Sequence, residues 1–341
     1  MQPYPEVSVL MPVFNAESTL IEALESLSGQ TFPGFEILAI DDGSTDQSLS
    51  ILESWAQHDN RLRILKTPHR GILGTLNEGL LACRAPLVAR MDADDRSLPG
   101  RLEHQIARFR AYPDLSLVSS QVRAFPDHAV RQGLKLYLDW QNSLLDEAAI
   151  HRDIFIESPF VHPSVMYRRD AVVRLGGYQE HGWPEDYDLW MRMYLANLKF
   201  AKLPAVLLEW REGDTRLTRT DPRYSKDNFL RLKAHYLARG PLADRQEIFV
   251  WGAGNTGKKL CRFLLKEGIS PSAFVDIDPR KIGRKLLAAP ILAPNQLPEA
   301  WAQAELPVLI AAVGTRGARP LIQTWLDRFG LRQGLDWWFS A

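Results

Sequence analysis

Residues 7–91 alternate short apolar runs with segments whose apolar side chains recur at helical spacing. The apolar runs have the length of buried strands, and each ends in a polar turn. Strand and helix in alternation predict a mostly parallel sheet with helices on both faces. Such sheets bind ligands beyond the carboxyl ends of their strands. The predicted strands are Val7–Val13, Phe35–Ile40, Leu62–Leu65 and Pro86–Met91, and the predicted helices are Ala16–Ser28, Gln47–His58 and Gly71–Cys83.

A second strand–helix pattern begins after Arg239-Gly240-Pro241, a break that is typical of a domain boundary. We therefore expect an α/β domain over 1–215, a helical linker over 216–243 and a smaller α/β domain over 244–341. Further elements are predicted between these points. They are strands at 115–121, 164–167 and 205–210, helices at 100–112, 170–175, 186–196 and 226–238, a helix near 140–151, and a polar loop over 213–225.

Charge and composition exclude several classes of function. Lys plus Arg equals Asp plus Glu, 41 each, so no overall attraction to nucleic acid is expected. Cys83 and Cys261 are far apart in apolar surroundings, which argues against a disulfide or a cysteine metal site. No window reaches the roughly 20 apolar residues of a membrane span. We expect a cytoplasmic protein without a transmembrane segment, and leave peripheral membrane contact open.

Polar clusters follow three of the predicted strands, at Phe14–Glu17, Asp41–Asp42 and Asp92–Asp95. In Met91-Asp92-Ala93-Asp94-Asp95, the first two carboxylates lie on one side of an extended segment. Carboxylate oxygens at a strand end suit Mn²⁺ or Mg²⁺, which share their coordination with phosphate groups. The alternative is an exposed acidic turn that caps the next helix. For Asp95 the sequence leaves two roles open, support of this acidic loop and capping of the next helix.

Two other clusters strengthen the functional interpretation. Asp41 and Asp42 follow the second predicted strand, where a buried carboxylate accepts hydrogen bonds from a base or a ribose, while Asp46 caps the next helix. Asp186 opens a predicted helix, with Glu185 just before it, at a position where an anion is stabilised and where plain capping is the alternative.

Five motifs in order resemble glycosyltransferase family 2, whose members invert the anomeric centre and have the GT-A fold. The motifs are Pro12–Asn15, Asp41–Asp46, Asn77–Gly79, Asp92–Asp95 and Glu185–Arg192, and the resemblance covers residues 7–212. The Gln-x-x-Arg-Trp motif of processive members is absent from the sequence. The resemblance therefore implies a transferase that adds one sugar or a few.

The resemblance also implies a role for each matching residue. Asp42 holds the base, usually uracil, in a pocket shaped by Pro12 and Phe14, and Asn15, Glu17, Asp41 and Arg70 belong to the same nucleotide site. Asp92 contacts the ribose or metal-bound water, and Asp94 ligates the cation that bridges the diphosphate. Asp186 is the general base, with Glu185 beside it. The implied partners are a nucleotide-sugar donor and a saccharide or lipid-linked acceptor, in surface polysaccharide assembly.

Several side chains have two interpretations that the sequence leaves open. His162 contacts the diphosphate or acceptor, or it is a core histidine bonded to backbone. Trp183 stacks on an acceptor sugar, or it packs in the core. Arg216 or Arg219 reaches the diphosphate, or both lie in a solvated basic loop.

The glycines of Gly252-x-Gly254-x-x-Gly257 follow a strand and open a helix, and Asp276 ends the next strand. This is the dinucleotide-binding pattern in its usual context. The smaller domain resembles Rossmann-like modules found beside sugar-modifying enzymes. It binds a nucleotide such as NAD(P), or it serves as a docking or dimerisation module; because no hydride-transfer residues are evident, we favour the latter, or binding without chemistry.

Three other functions compete with a glycosyltransferase. A nucleotidyltransferase needs a glycine-rich first turn, and residues 12–17 contain no glycine. An inactive sugar-nucleotide-binding protein does not need the complete acidic set. A bifunctional enzyme requires that the smaller domain use NAD(P).

Overall fold

The structure is a computed structural model that describes residues 4–213 and 216–341, without the side chain of Leu217. The predicted domain boundary at 215 and part of the predicted polar loop lie outside these residues. In chain order the strands are β1 (Val7–Val13), β2 (Phe35–Asp41), β3 (Leu62–Lys66), β4 (Leu87–Arg90), β5 (Arg96–Ser97), β6 (Leu115–Phe125), β7 (Met166–Arg168), β8 (Lys199–Arg211), β9 (Glu247–Trp251), β10 (Ala273–Val275), β11 (Lys285–Leu286), β12 (Ala289–Leu292), β13 (Pro307–Ala311) and β14 (Trp337–Phe339).

The helices fall between these strands, as the alternating pattern predicts. In chain order they are α1 (Leu20–Ser28), α2 (Ser48–Ala56), α3 (Gly71–Ala82), α4 (Arg101–Ala111), α5 (Gln132–Ser143), α6 (Glu147–Asp153), α7 (Arg169–Arg174), α8 (Glu185–Leu195), α9 (Leu217–Thr220), α10 (Lys226–Arg239), α11 (Asn255–Lys266), α12 (Leu297–Gln303) and α13 (Ala318–Arg328).

The chain divides into two compact units. The first comprises residues 1–147, 159–181 and 185–220, and the second comprises 148–158, 182–184 and 221–341. The second unit thus includes two short segments that precede its main part in the chain and that no local sequence pattern marks. The division into 1–215, 216–243 and 244–341 stays a prediction.

The first unit is built on one mixed sheet with the strand order β3-β2-β1-β4-β7-β6-β8-β5. The strands β3, β2, β1 and β4 are parallel, as predicted, and β7 joins this block to β6 in antiparallel pairings. Every residue of β2 is buried, in agreement with its mainly apolar sequence, and its two carboxylates, Glu36 and Asp41, are buried with it. The apolar side of α1 packs on the sheet through Leu20, Ala23, Leu24 and Leu27, which are at helical spacing.

The parallel register brings the ends of these strands together. Val13 pairs with Asp41, and Asp41 pairs with Lys66, so that the turns after β1, β2 and β3 share one edge of the sheet. Leu10 pairs with Arg90, and the acidic run after β4 begins at the same edge. The polar clusters of the sequence therefore converge.

The second unit contains a sheet with the order β11-β12-β10-β9-β13-β14, parallel except for β11. β12 and β14 were not expected from the sequence, because each is a run of only three or four residues. In the first unit β5 is missed for the same reason, since two residues form it only by pairing with β8. The region near 140–151, predicted as one helix, contains α5 and α6.

Candidate active site

The turn after β1 is tied to the turn after β2. The backbone N–H of Asn15 donates to the Ser44 hydroxyl at 3.1 Å, and the Asn15 side-chain oxygen accepts from the Thr45 N–H at 2.8 Å. The Glu17 carboxylate accepts from the N–H of Gln47 at 2.9 Å. Asn15 has a φ of 50°, a left-handed conformation that asparagine tolerates. Asn15 and Glu17, both predicted to contact the nucleotide, are therefore engaged in holding two loops of the site together.

Asp42 lies where β2 ends, and its side chain is 4% exposed. One carboxylate oxygen accepts from the Arg70 N–H at 2.8 Å and the other from the Gly71 N–H at 3.0 Å, at the start of α3. The Thr67 hydroxyl lies 3.4 Å from the first oxygen, and His69 Nδ1 lies 2.9 Å from the second. The carboxylate thus orients the loop between β3 and α3, as well as standing where the sequence predicts base recognition.

The other predicted nucleotide residues surround Asp42 at the same edge. Pro12 is half-buried within β1, and the buried Asp41 ends β2. One oxygen of Asp41, Oδ1, has no hydrogen-bond partner among residues 4–213 and 216–341. The guanidinium of Arg70 lies 3.4 Å from the carboxylate of Glu78, so the side chain runs along α3. Direct nucleotide contacts for these residues stay predictions.

An exposed aromatic pair stands beside Asp42. The rings of Phe14 and His69 stack with centroids 4.2 Å apart and planes inclined by 25°. Phe14 is 46% exposed and the His69 side chain 57% exposed. The sequence analysis did not identify His69, which stands next to the expected Arg70. The sequence feature that could have identified His69 is its position in the turn after β3, at the sheet edge where Asp42 lies.

The acidic cluster after β4 has the geometry of a cation site. Asp92, Asp94 and Asp95 each offer an oxygen within 4.8 Å of the others. Burial, and then the charge of Asp92, raise the pKa of Asp94 to about 6. Burial, and then the charge of Asp94, raise the pKa of Asp95 well above its usual value. A bound cation would relieve this repulsion, and carboxylate oxygens are what Mn²⁺ and Mg²⁺ prefer, so the residues present fit a divalent metal.

Asp95 also has a defined structural partner. One of its oxygens accepts from the backbone N–H of Arg211 at 2.7 Å, while Oδ2 is buried with no hydrogen-bond donor among the described residues. The Arg211 side chain donates to the carbonyl of Asp94 at 2.6 Å. The acidic loop is therefore fixed to the end of β8, and Asp95 supports the loop that carries Asp94.

Two buried arginines lie next to the acidic cluster, and the sequence analysis identified neither of them. Arg90 is 3% exposed and forms an ion pair with Asp92. Arg101 is fully buried and donates to the backbone carbonyl of Arg90 at 2.7 Å. Burial lowers the pKa of Arg101 to about 9. For Arg90, the sequence feature that could have identified it is an arginine in the apolar run Leu87–Arg90. A buried charge is retained only when it is paired, so an arginine in a buried strand indicates an acidic partner.

Glu185 and Asp186 begin α8, as predicted. Glu185 is buried and Asp186 is half-buried. Burial raises the pKa of Asp186 to about 7, and the neighbouring charge of Glu185 acts in the same direction. The N–H of Tyr187, 2.7 Å from Asp186 Oδ1, and the charge of Arg90 act in the opposite direction. A carboxylate with a pKa near 7 suits proton abstraction at neutral pH.

His162 and Trp183 are both buried. His162 Nε2 lies 2.9 Å from the Tyr178 hydroxyl, and burial lowers its pKa well below the usual value. The partner is a tyrosine hydroxyl, where the sequence analysis expected a backbone group. Trp183, 5% exposed, packs against the ring of His235, at 5.2 Å, within the second unit. For both residues the geometry favours the structural interpretation over contact with an acceptor.

Within the second unit, the glycine loop lies between β9 and α11. Gly252 has a φ of 117°, and a Cβ on Gly257 would overlap the Gly252 carbonyl oxygen. A Cβ on Gly254 would meet nothing within 4 Å. Asp276 accepts from the Ala253 N–H at 2.9 Å and from the Lys281 ammonium at 2.9 Å. The carboxylate that would bind a ribose in a dinucleotide site is therefore engaged by this loop and by a lysine.

Arg216, in the segment after β8, carries a charge that acts on the acidic cluster. It lowers the pKa of Asp94, although burial and Asp92 outweigh it. Its guanidinium lies 3.6 Å from the centroid of the Trp210 ring and 2.9 Å from the buried carboxylate of Glu212. Arg219 pairs with the same carboxylate. The arginines are thus paired with Glu212, and a contact to the diphosphate stays a prediction.

No helix in the part of the chain that the structure describes is both long and apolar enough to span a membrane.

Comparison with known proteins identifies the family. The model of "Glycosyl transferase family 2" matches residues 8–176. The amylovoran biosynthesis glycosyltransferase AmsE of Erwinia amylovora is 36% identical over 212 residues, which are 60% of this chain and 76% of the relative. The Escherichia coli UDP-Gal:alpha-D-GlcNAc-diphosphoundecaprenol beta-1,3-galactosyltransferase is 30% identical over 210 residues, 61% and 74% of the two chains.

A solved structure shares the fold. Residues 1–349 of Staphylococcus aureus TarS in complex with UDP-GlcNAc superpose with a TM-score of 0.56 at 20% identity, covering 78% of this chain and 73% of that solved chain. The mixed sheet of the first unit is the GT-A fold that the sequence motifs implied. The chain therefore belongs to glycosyl transferase family 2 and is a glycosyltransferase.

Proposed function

We propose that this chain transfers a sugar from a UDP-sugar to a hydroxyl group of a saccharide or lipid-linked acceptor, with inversion and with a divalent cation. Two relatives support this proposal by what their names state, amylovoran biosynthesis for one and transfer from UDP-Gal to a diphosphoundecaprenol-linked sugar for the other. By the same reasoning we propose a role in surface polysaccharide assembly.

Asp186 carries the proposed chemistry, because its pKa of about 7 makes it a base at neutral pH. As the acceptor oxygen attacks the anomeric carbon, its proton moves to the Asp186 carboxylate. The bond between that carbon and the diphosphate oxygen breaks, and the electron pair leaves with the diphosphate. A positioned general base contributes about 10²- to 10⁴-fold to such a step. Glu185, buried beside it, helps keep the pKa of Asp186 high.

Asp92, Asp94 and Asp95 are the residues that would hold Mn²⁺ or Mg²⁺. Their three oxygens lie within 4.8 Å of one another, and the raised pKa values of Asp94 and Asp95 mark a place where negative charge needs compensation. A divalent cation supplies charge stabilisation to the leaving diphosphate when it is bound. We assign direct ligation to Asp94, because Asp92 pairs with Arg90 and one oxygen of Asp95 is engaged by Arg211.

For the second unit we propose docking or dimerisation in preference to NAD(P) chemistry. Asp276 supports this choice, since its oxygens accept from Ala253, Asp278 and Lys281 and would have to give up protein partners to bind a ribose. The alternatives of a bifunctional enzyme and of an inactive binding protein are distinguished from our proposal by the experiment below.

The test is a thermal unfolding panel with UDP, GDP, CDP, their sugar derivatives, NAD and NADP, each with and without Mn²⁺. A ligand that binds only the folded chain stabilises it by about 2.7 kcal/mol at 100 times its Kd. We expect Mn²⁺-dependent stabilisation by UDP and UDP-sugars and none by NAD or NADP. Asp94→Ala should remove the Mn²⁺ dependence, and Asp114→Ala, at an exposed aspartate on the same unit, is the matched control.

The absence of any response to a nucleoside diphosphate would contradict the proposal. Stabilisation by UDP without hydrolysis or transfer of any UDP-sugar would favour an inactive binding protein. Protection by NAD or NADP that persists in Asp94→Ala would favour the bifunctional alternative.

A further inference from the structure

Arg90 is a buried cation at the point where β4 meets the acidic loop. Its side chain is 4% exposed and forms an ion pair with Asp92. Its backbone is fixed, because its N–H donates to the Val165 carbonyl at 3.0 Å and its carbonyl accepts from Arg101 at 2.7 Å. Its Nε has no hydrogen-bond partner among residues 4–213 and 216–341. A buried guanidinium with an unsatisfied donor is costly to the fold, which indicates a task beyond packing.

The charge of Arg90 acts on carboxylates in both halves of the site. In the acidic cluster it acts on all three aspartates. At the start of α8 it acts on Asp186. Burial, and then the charge of Glu185, raise the pKa of Asp186, and Arg90 acts in the opposite direction. The guanidinium therefore stands within electrostatic reach of the cation site and of the proposed base.

His162 connects the end of β4 to α8 by packing. Its turn lies against β4 and leads directly to Val165, the residue that accepts from the Arg90 N–H. The ring of Trp190, on α8 and one turn after Asp186, meets the His162 ring edge-on with centroids 5.8 Å apart. Burial, and then the charge of Arg90, lower the pKa of His162 well below its usual value, so the imidazole is neutral. The positive charge on this side of α8 is therefore that of Arg90.

We propose that Arg90 is a positioning residue for both halves of the site, which holds Asp92 in the acidic loop and sets a positive charge against the base Asp186. This inference rests on the proposed function, since the cation site and the base are parts of it. Two other titratable groups face Asp186. Glu185 is negative, and Tyr178 stays neutral because burial raises its pKa. Without Arg90, Asp186 would therefore face negative and neutral groups.

A double-mutant cycle in stability tests the coupling without substrate. Asp186→Asn is introduced into the natural chain and into Arg90→Met, and the gain in Tm is measured at pH 4.5 and pH 8. Loss of an opposite charge should raise the pKa of Asp186 by about one, which corresponds to about 2 °C in Tm. The gain should thus be about 2 °C larger in Arg90→Met at pH 8. It should be equal in both backgrounds at pH 4.5, where the folded chain already holds the proton.

The matched control is Arg101→Met, which removes an equally buried guanidinium next to the same cluster, one whose charge acts on Asp95. It should leave the gain from Asp186→Asn nearly unchanged at both pH values. Arg90→Lys keeps a positive charge and should restore the gain of the natural chain. Should Arg90→Met fail to fold, Arg90→Gln takes its place in the cycle.

The kinetic measurement is the pH dependence of sugar transfer. The rise in rate that the natural chain shows near pH 7 should move about one pH unit higher in Arg90→Met and return in Arg90→Lys. An equal gain in Tm in both backgrounds at pH 8, or an unchanged pH profile, would overturn the inference and leave Arg90 as a structural partner of Asp92. Because the cycle needs no substrate, a natural chain that transfers no sugar would contradict the proposed function and not the coupling between Arg90 and Asp186.

Discussion

Replacing Asp186 by asparagine should abolish transfer and, above pH 7, stabilise the fold. The carboxylate is half-buried at the start of α8 next to the buried Glu185, and these surroundings raise its pKa to about 7. The ionised form that the reaction needs is therefore the form that the folded chain disfavours. Asparagine keeps the shape of the side chain but neither accepts a proton nor carries a charge.

The size of the expected stabilisation follows from the raised pKa of Asp186. In the unfolded chain Asp186 ionises near its ordinary value of 3.8, and each unit of difference corresponds to about 1.4 kcal/mol. The ionised carboxylate thus costs the folded state at most about 4 kcal/mol. We expect about 1 to 2 kcal/mol, because the side chain keeps part of its surface in water.

The cost of the ionised Asp186 carboxylate to the stability of the folded chain depends on pH. Below pH 4 the group is protonated in both states and costs nothing, and the cost grows as the pH rises from 4 to 7 and is constant above that. We expect Asp186→Asn to match the natural chain in stability near pH 4 and to exceed it at pH 8 by a few degrees in Tm.

The assay combines thermal unfolding at pH 4.5, 6 and 8 with the initial rate of sugar transfer at pH 6 to 8. The natural rate should rise as the pH passes through about 7, because only the ionised base acts, and Asp186→Asn should lose at least about 100-fold. Asp170→Asn, at an exposed aspartate on α7, is the control and should alter neither quantity greatly. Transfer that persists in Asp186→Asn, or an Asn variant that is less stable at pH 8 than the natural chain, would refute the reasoning.

Three further substitutions test other parts of the structure. Asp94→Ala should lower the affinity for Mn²⁺-UDP at least about tenfold without lowering the Tm, as measured by calorimetry with and without Mn²⁺; an unchanged affinity would show that the acidic cluster does not hold the cation. Gly257→Ala should lower the Tm by several degrees, because its methyl group would overlap a backbone carbonyl, whereas Gly254→Ala, where a Cβ meets nothing within 4 Å, should not. Asn77→Ala should cost about 2 kcal/mol in denaturant unfolding, because Asn77 bonds both the N–H and the carbonyl of Tyr178 at 2.8 Å, and a loss below about 0.5 kcal/mol would contradict this.

The structure provides the physical reason for the Asn77–Gly79 motif, which the sequence alone leaves unexplained. The sequence identifies Asn77–Gly79 as a family feature without a stated task. In the structure Asn77 bonds the backbone of Tyr178, and Gly79 lies so close to Leu10 that a Cβ would overlap its side chain. The motif therefore fastens α3 to the sheet and to a distant turn, and both partners are far away in sequence.

The sequence by itself determined the alternation of strands and helices in the first unit. It also determined the position of two acidic clusters at strand ends and of a third at the start of a helix. Hydrophobic periodicity is a local property, so the ends of β1 to β4 and of α1 to α3 differ from their predicted positions by no more than four residues. The family motifs likewise stand in contiguous residues. This is why Asp92, Asp94 and Asp186 were identified before any coordinates.

Only the tertiary structure decided which of these side chains have room for a ligand. It ties the Asp42 carboxylate to two backbone N–H groups, those of Arg70 and Gly71. It also buries His162 and Trp183 and pairs the buried Arg90 with Asp92. Burial and hydrogen bonding depend on residues that are distant along the chain, such as the Asp95 carboxylate and the Arg211 N–H. The sequence identifies the side chains that are capable of the chemistry. The packing around each side chain determines its charge, its hydrogen-bond partners and its access to a substrate.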